Sequence, residues 1–262
     1  MVEEFFCILF CVWNTDCYCS INRPYDGNAI NLAVAQSLAA LIETCRKDSS
    51  LRAVILTGSG DKFFCTGGDV KAYAKIETED ALNEVFDIIR TLLDALEQLP
   101  CPVIAAINGY AIGGGAELSL ACDFRVIEQG AQIGFPQSRL GILPGWNGIS
   151  RLVPLVGRAA AAKMLFDGRR IDAEQAVAIG LATAVAPAGE SLRVALELAQ
   201  TFSGTAPLSI AAIKAELNAV TRSLGSIKTQ SRQAFAELWF TADHKEAEQA
   251  FAEKRLPKFR GL

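Results

Sequence analysis

The chain has a single histidine, His244, in 262 residues. A nucleophile–imidazole pair would have to use it. It lies in ADHKEAEQAF, where Asp243 reads as a helix N-cap and His244 as a solvated surface side chain. That reading disfavours Ser-His-Asp and Cys-His hydrolytic schemes. Basic clusters are missing too. The 25 Lys and Arg are scattered among 29 Asp and Glu, for a net charge of −4, so nucleic acid and acidic membrane surfaces are not expected partners. No apolar run reaches membrane-spanning length. The nine-residue run in MVEEFFCILFCVW follows two glutamates and no basic residue, unlike a secretory signal. It reads as a buried strand of a soluble, cytoplasmic protein. Linkers rich in Gly, Ser or Pro are absent, so one cooperative body is expected. Nucleotide loops are absent as well: G-x-G-x-x-G fails at Leu118 and at Phe63, and no G-x-x-x-x-G-K-[ST] occurs.

The eight cysteines match no metal-binding spacing. Cys7, Cys11, Cys17 and Cys19 are separated by three, five and one residues, with no histidine nearby. They read as small buried hydrophobes of a hairpin, with a soft-metal site as the lesser alternative. Segment 5–22 reads as two strands turning at Asn14-Thr15-Asp16. Helical periodicity covers 29–48, 78–98 and 151–168, and 171–181 reads as a short helix closed by Gly180. Residues 51–60 and 102–110 read as buried strands, 124–135 as short strands around a Gly130 turn, and 190–262 as almost entirely helical. Strand, loop and helix alternate and then yield to helices. This ordering implies an α/β core over 1–200 and a helical region over 201–262.

Two glycine-rich loops share a design. VILTGSGDKFFCTGGD leads from a strand to Gly67-Gly68, and VIAAINGYAIGGGAEL leads from a strand to Gly113-Gly114-Gly115 and then a helix. A helix opening inside a glycine run offers unpaired N–H groups at the positive end of its dipole. Side by side, two such loops can aim two N–H groups at one oxygen, as an oxyanion hole does. Tight helix–strand packing also selects glycine, so spacing leaves both readings open. Glu117 stands three residues after Gly114, on the same side of a helix starting there.

FCTGGDV resembles the F-[CS]-x-G-x-D signature of the crotonase superfamily, the enoyl-CoA hydratases and isomerases, and NGYAIGGGAELSLACDFRV is similar to its second signature. The resemblance extends through NRPYDGNAI, PQSRLGILPGWNGISRLVPLVG, GRRIDAEQAVAIGL and DHKEAEQAFAEKRLPKFRG, over roughly residues 20–262. It implies a right-handed spiral of ββα turns, with C-terminal helices that drive assembly into a homotrimer or a dimer of trimers. It also implies a role in fatty acid metabolism on acyl-CoA thioesters, as a lyase or isomerase with no cofactor beyond the coenzyme A of the substrate and no metal. The thioester oxygen would sit between the N–H groups of Gly68 and Gly114, which would stabilise an enolate. Arg23, with the backbone at Phe64, Cys65 and Thr66, would hold the CoA moiety, and Lys254 would reach a neighbouring subunit's CoA. Tyr73, from the 70–78 loop, and Trp146 would line the acyl pocket. Asp69 would fix its loop, and Cys65 is read as packing and not as a nucleophile.

The resemblance breaks at one point. Glu117 matches the first of two glutamates that the family's hydratases use, but Gln137 stands where they place the second. No Asp or Glu lies between Gly130 and Asp167. Glutamine cannot exchange a proton at neutral pH, so Glu117 is expected to be the sole acid–base group. The family's isomerases tend to keep the second carboxylate instead. The open alternatives are a short-chain malonyl-type acyl-CoA decarboxylase, to whose family context PGWNGISRL is somewhat similar, and a catalytically weakened acyl-CoA-binding protein.

Overall fold

A computed structural model describes residues 2–5, 8–13, 16–73, 76–222 and 225–260. The strands are β1 Val2–Phe5, β2 Ile8–Trp13, β3 Asp16–Ile21, β4 Ala53–Gly58, β5 Phe63–Cys65, β6 Val103–Ile107, β7 Tyr110–Ile112, β8 Phe124–Glu128, β9 Gln132–Gly134, β10 Arg170–Asp172 and β11 Ala184–Ala186. The helices are α1 Leu32–Lys47, α2 Val70–Tyr73, α3 Glu79–Glu97, α4 Gly114–Leu120, α5 Gly148–Asp167, α6 Ala173–Ala178, α7 Ser191–Gln200, α8 Pro207–Arg222, α9 Gly225–Trp239 and α10 Ala242–Ala252.

The strands form two sheets. A seven-stranded sheet runs β1-β2-β3-β4-β6-β8-β11, and a four-stranded one runs β10-β9-β7-β5. Consecutive strands β4 and β5 fall in different sheets, as do β6 and β7, and β8 and β9. A helix follows the first two pairs and a 3-10 turn over Pro136–Leu140 follows the third. The chain therefore advances as a spiral of ββα turns, stacking β4, β6, β8 and β11 in parallel on one side and β5, β7 and β9 in parallel on the other. This is the crotonase-like α/β architecture that the resemblance implied. Every residue of β4 and β6 is buried, as expected of parallel strands covered on both faces. One core lies between the sheets and α1 and α3; a smaller one lies between the large sheet and α7, around Ile55, Ile104, Ala195 and Ala199.

The N-terminal apolar run is divided between strands. β2 pairs antiparallel with β3 as the hairpin reading expects, but β1 adds an edge strand carrying Glu3 and Glu4. Asn14 and Thr15 of the expected turn, Cys7 and the Cys11 side chain lie outside the described residues. Cys17 and Cys19 are buried free thiols, and among the described residues no group of His, Cys, Asp and Glu could hold a metal ion. No helix among them is long and apolar enough to cross a membrane.

The C-terminal readings need two corrections. Thr241, not Asp243, caps α10: its hydroxyl accepts from the His244 N–H at 3.2 Å. His244 is not a surface residue. It is 4% exposed, its ring lies against Trp239 at 4.7 Å, and its Nδ1 is 2.6 Å from the Leu140 carbonyl oxygen. The polar sequence around it hid this, because the first turn of α10 seats on the 3-10 turn that carries Gln137.

Candidate active site

The order β9-β7-β5 explains how distant residues meet. The three strands are parallel neighbours, so their C-terminal ends lie side by side, where ligands of open α/β sheets generally bind. Gly67-Gly68 follows β5, Gly113–Gly115 and Glu117 follow β7, and Gln137 follows β9. The first two loops touch: a Cβ placed on Gly67 would come within 2.8 Å of the Gly114 nitrogen.

The three consecutive glycines each answer a separate demand. Gly113 has φ 58° and ψ −121°, a backbone region essentially closed to other residues. A Cβ on Gly114 would lie 2.5 Å from the Trp146 ring. A Cβ on Gly115 would lie 1.9 Å from the Cys65 carbonyl oxygen, which is backbone and cannot turn aside. Gly115→Ala is therefore expected to destabilise the fold by about 3 kcal/mol, at the upper end of overpacking costs, as read from urea unfolding. Wild-type stability in that variant would mean the β5 and β7 loops do not meet in this way.

The strand ladder ends where the Gly113 N–H donates to Gly134 O at 2.9 Å. The Gly114 N–H, first of α4, comes next and has no intrahelical partner. On the neighbouring loop, Ile30 N–H donates to Gly67 O and Asp69 N–H to Ile30 O, passing over the Gly68 N–H. Among the described residues neither the Gly68 nor the Gly114 N–H has an acceptor.

Glu117 is 1% exposed on α4. Its Oε2 accepts from the N–H groups of Trp146 and Gly148, each at 2.8 Å, and its Oε1 accepts from Gln137 Nε2 at 3.0 Å. Between those two N–H donors stands Asn147 in the left-handed conformation, φ 64°. That turn aims N–H groups two residues apart at one oxygen, as anion-binding backbone nests do. Gly148 leaves room for the carboxylate, since a Cβ there would fall 2.7 Å from Oε2. Burial pushes the Glu117 carboxyl up to about 7; the two N–H donors, then Arg151 and Arg90, pull it back toward the ordinary range. A carboxyl poised there is populated in both protonation states at neutral pH. Gln137 is also buried, and among the described residues its Oε1 has no partner.

The remaining expected site residues are spread around this centre. Asp69 fixes its loop, accepting from Arg23 Nη1 at 3.1 Å and from the Ala72 N–H at 3.4 Å. Arg23 also donates to Ala29 O and Asp26, so its guanidinium is largely engaged within the chain. Phe64 and Cys65 are fully buried, and burial raises the Cys65 thiol to about 12, consistent with packing. Thr66 donates through Oγ1 to Gly27 O at 3.2 Å. Tyr73 ends the short helix α2 instead of standing on a loop. It is buried, its hydroxyl donates to Ile30 O at 3.2 Å, and its ring abuts the Gly68 Cα. Trp146 is buried against Gly114, and Lys254 is exposed just past α10. Glu117, Gln137, Trp146, Gly68 and Gly114 thus come together; Arg23 and Lys254 do not touch them. A cavity of about 520 Å3, lined by Leu120, Phe124, Arg151, Phe202, Ile210 and Lys214, opens instead at the C-terminal end of α4 and contains none of these five.

Sequence reasoning missed Arg90 and Arg151. Arg90 Nε donates to Gly145 O at 2.8 Å, and Arg151 Nη1 donates to Trp146 O at 2.9 Å, so both cations brace the loop that holds Glu117. One signal was present. Phe86, Ile89, Arg90 and Leu93 share helical spacing and all are buried, so Arg90 is a charge on an apolar face.

The sequence model for the enoyl-CoA hydratase/isomerase family matches residues 14–261. The chain is 37% identical to the 2,3-dehydroadipyl-CoA hydratase of Escherichia coli over 92% of this chain and 94% of that one. It is 37% identical to the carnitinyl-CoA dehydratase of Salmonella typhi, with the same coverage of each. A crystal structure of carnitinyl-CoA hydratase from Mycobacterium avium superimposes with a TM-score of 0.88 at 30% identity, over 99% of this chain and 100% of that one. With its ββα spiral, its paired glycine loops and this match over almost its whole length, the chain belongs to the enoyl-CoA hydratase/isomerase family of acyl-CoA enzymes.

Proposed function

We propose that the protein hydrates an enoyl-CoA, or runs the reverse dehydration, with Glu117 as its only acid–base group. The thioester oxygen sits between the N–H groups of Gly68 and Gly114, which hold the enolate charge. Water attacks Cβ, Glu117 takes its proton, and the same proton passes to Cα, so that H and OH add across the double bond. Gln137 anchors Glu117 Oε1 through its amide N–H, and its unpartnered Oε1 accepts from the attacking water. The observation that carries the reading is a single buried carboxyl, held by the Trp146 and Gly148 N–H groups and paired with the amide of Gln137 instead of a second carboxyl, so that one group serves as both base and acid. Hydratases and dehydratases among the relatives support the same reaction class.

The CoA moiety lies against Arg23 and Thr66, since Phe64 and Cys65 are fully buried and leave it no surface, with Lys254 reaching a neighbouring subunit's CoA, while Tyr73 and Trp146 bound the acyl end. Assembly is a homotrimer or a dimer of trimers in the cytoplasm. It is supported by exposed Leu208, Ile213 and Leu217 on α8.

The test is hydrogen exchange at the α-carbon of a saturated acyl-CoA in heavy water. Exchange in the wild type, lost in Glu117→Gln, is expected. No exchange and no turnover of any thioester would leave only a binding protein. A second reading is decarboxylation of a malonyl-type CoA, favoured by Gln137. Loss of CO2 leaves the bond electrons as the enolate, so only one proton donor is required. Gln137→Glu separates the two readings. It is expected to raise hydration of crotonyl-CoA at least tenfold, given the 10²–10⁴-fold worth of a positioned acid–base group. Unchanged hydration, alongside turnover of methylmalonyl-CoA by the wild type, would favour decarboxylation.

A further inference from the structure

We propose that Arg90 is a positioning residue for Glu117, acting through the single peptide unit that joins Gly145 to Trp146. The proposal rests on the reading of Glu117 as the acid–base group. Arg90 Nε donates to the carbonyl oxygen of that peptide at 2.8 Å, and its N–H, which is that of Trp146, donates to Glu117 Oε2 at 2.8 Å. Guanidinium, peptide and carboxylate thus form one chain of hydrogen bonds in a buried setting. Bonds in such a chain polarise one another: a cation at the carbonyl end strengthens the N–H at the other. The charge of Arg90 reaches the carboxylate without touching it.

The setting of Arg90 supports a role beyond packing. It is buried on α3 beside the mutually packed rings of Phe86 and Phe235, whose centroids lie 5.8 and 5.7 Å from its guanidinium carbon. Leucine would fill such a place without the cost of desolvating a charge. One carboxylate, Asp87, accepts from Nη1 at 2.9 Å, leaving Nε for the Gly145 carbonyl.

Other charges face the pair. Arg151 on α5 lies near Glu117, donates to Trp146 O and is itself paired with Asp94 and Glu97. Arg232 on α9 pairs with Asp87 from the far side. Gln137 contributes a neutral donor. Both arginines favour the ionised form of Glu117 against the burial that opposes it, and only Arg90 is bonded to the peptide whose N–H holds that carboxylate.

Three substitutions separate charge from hydrogen bonding. Arg90→Gln keeps a donor without charge, Arg90→Lys keeps the charge without the planar donor, and Arg90→Met loses both. The titration of Glu117 is read from the infrared band of its protonated carboxyl, identified by its absence in Glu117→Gln. The α-proton exchange rate is followed against pH in parallel. In Arg90→Met the midpoint is expected to rise by about one pH unit, which lowers exchange about tenfold at pH 6 and little at pH 9. The other two variants should fall between Met and wild type. A midpoint unmoved in folded Arg90→Gln and Arg90→Met, with only stability reduced, would overturn the proposal. If Arg90→Met does not fold, unmoved midpoints in Arg90→Gln and Arg90→Lys overturn it equally. The infrared reading needs no turnover. A wild type that exchanges no α-proton would therefore sink the acid–base reading of Glu117 and still decide whether Arg90 acts on it.

Discussion

Glu117→Gln is expected to lose about 10²–10⁴-fold in turnover, the usual worth of a positioned acid–base group, while making the fold more stable at pH 8. The loss follows because an amide cannot exchange a proton. The gain follows from linkage. Burial holds the Glu117 carboxyl at about 7, above its ordinary 4.5, so folding favours the protonated form. The stability this gives is complete below pH 4.5 and is lost as pH rises through about 7. At about 1.36 kcal/mol per unit, that gap amounts to about 3 kcal/mol. Glutamine escapes this loss and fits the site. Its Oε1 accepts from the Trp146 and Gly148 N–H groups, and its amide N–H can meet the Gln137 Oε1, now without a partner, once that amide turns over. Unfolding at pH 8 should therefore show the variant more stable by up to about 3 kcal/mol, with near parity at pH 4.5. A variant equally stable at both values would mean that Glu117 is not ionised at a cost in the wild type.

The second large effect is expected at Gly114. Alanine there keeps the N–H but sets a Cβ 2.5 Å from the Trp146 ring, so either the ring or the start of α4 must move. Displacing one oxyanion donor costs about 10²–10³-fold in kcat. The measurement that separates a steric cause from a general one is a double-mutant cycle with Trp146→Leu, which removes the ring but not the backbone N–H bonded to Glu117. Gly114→Ala should cost at least tenfold less in that background than alone. Equal losses in both backgrounds would show that Trp146 does not limit the position, and a fully active Gly114→Ala would remove Gly114 from the oxyanion reading.

Much of the fold was legible locally. The helix over 78–98 follows from its apolar stripe and the prolines beyond it, and it is observed as α3 with Thr78 capping at 3.2 Å. The opening of α4 inside the glycine run was likewise readable, as was the closing of α6 before Gly180. The helix expected over 151–168 was less so. It starts at Gly148 and breaks at Gly157, whose φ of 74° and ψ of 162° are not helical, where the apolar pattern runs on unbroken. His244 was misread because its neighbours in sequence are polar, while the groups that cover it, Leu140 and Trp239, come from other elements.

The sequence by itself determined the family, the alternation that builds the spiral, the two glycine loops, and Glu117 without a second carboxylate. These are written in residue identity and short spacing. Only the tertiary structure decided how Glu117 is held. Its partners come from 20, 29 and 31 residues away, and Arg90 reaches the same loop from 55 residues away. The proton affinity of a buried carboxyl is set by the water removed from it and the dipoles aimed at it. Both depend on which loops meet at the ends of three parallel strands, and no local pattern records that meeting.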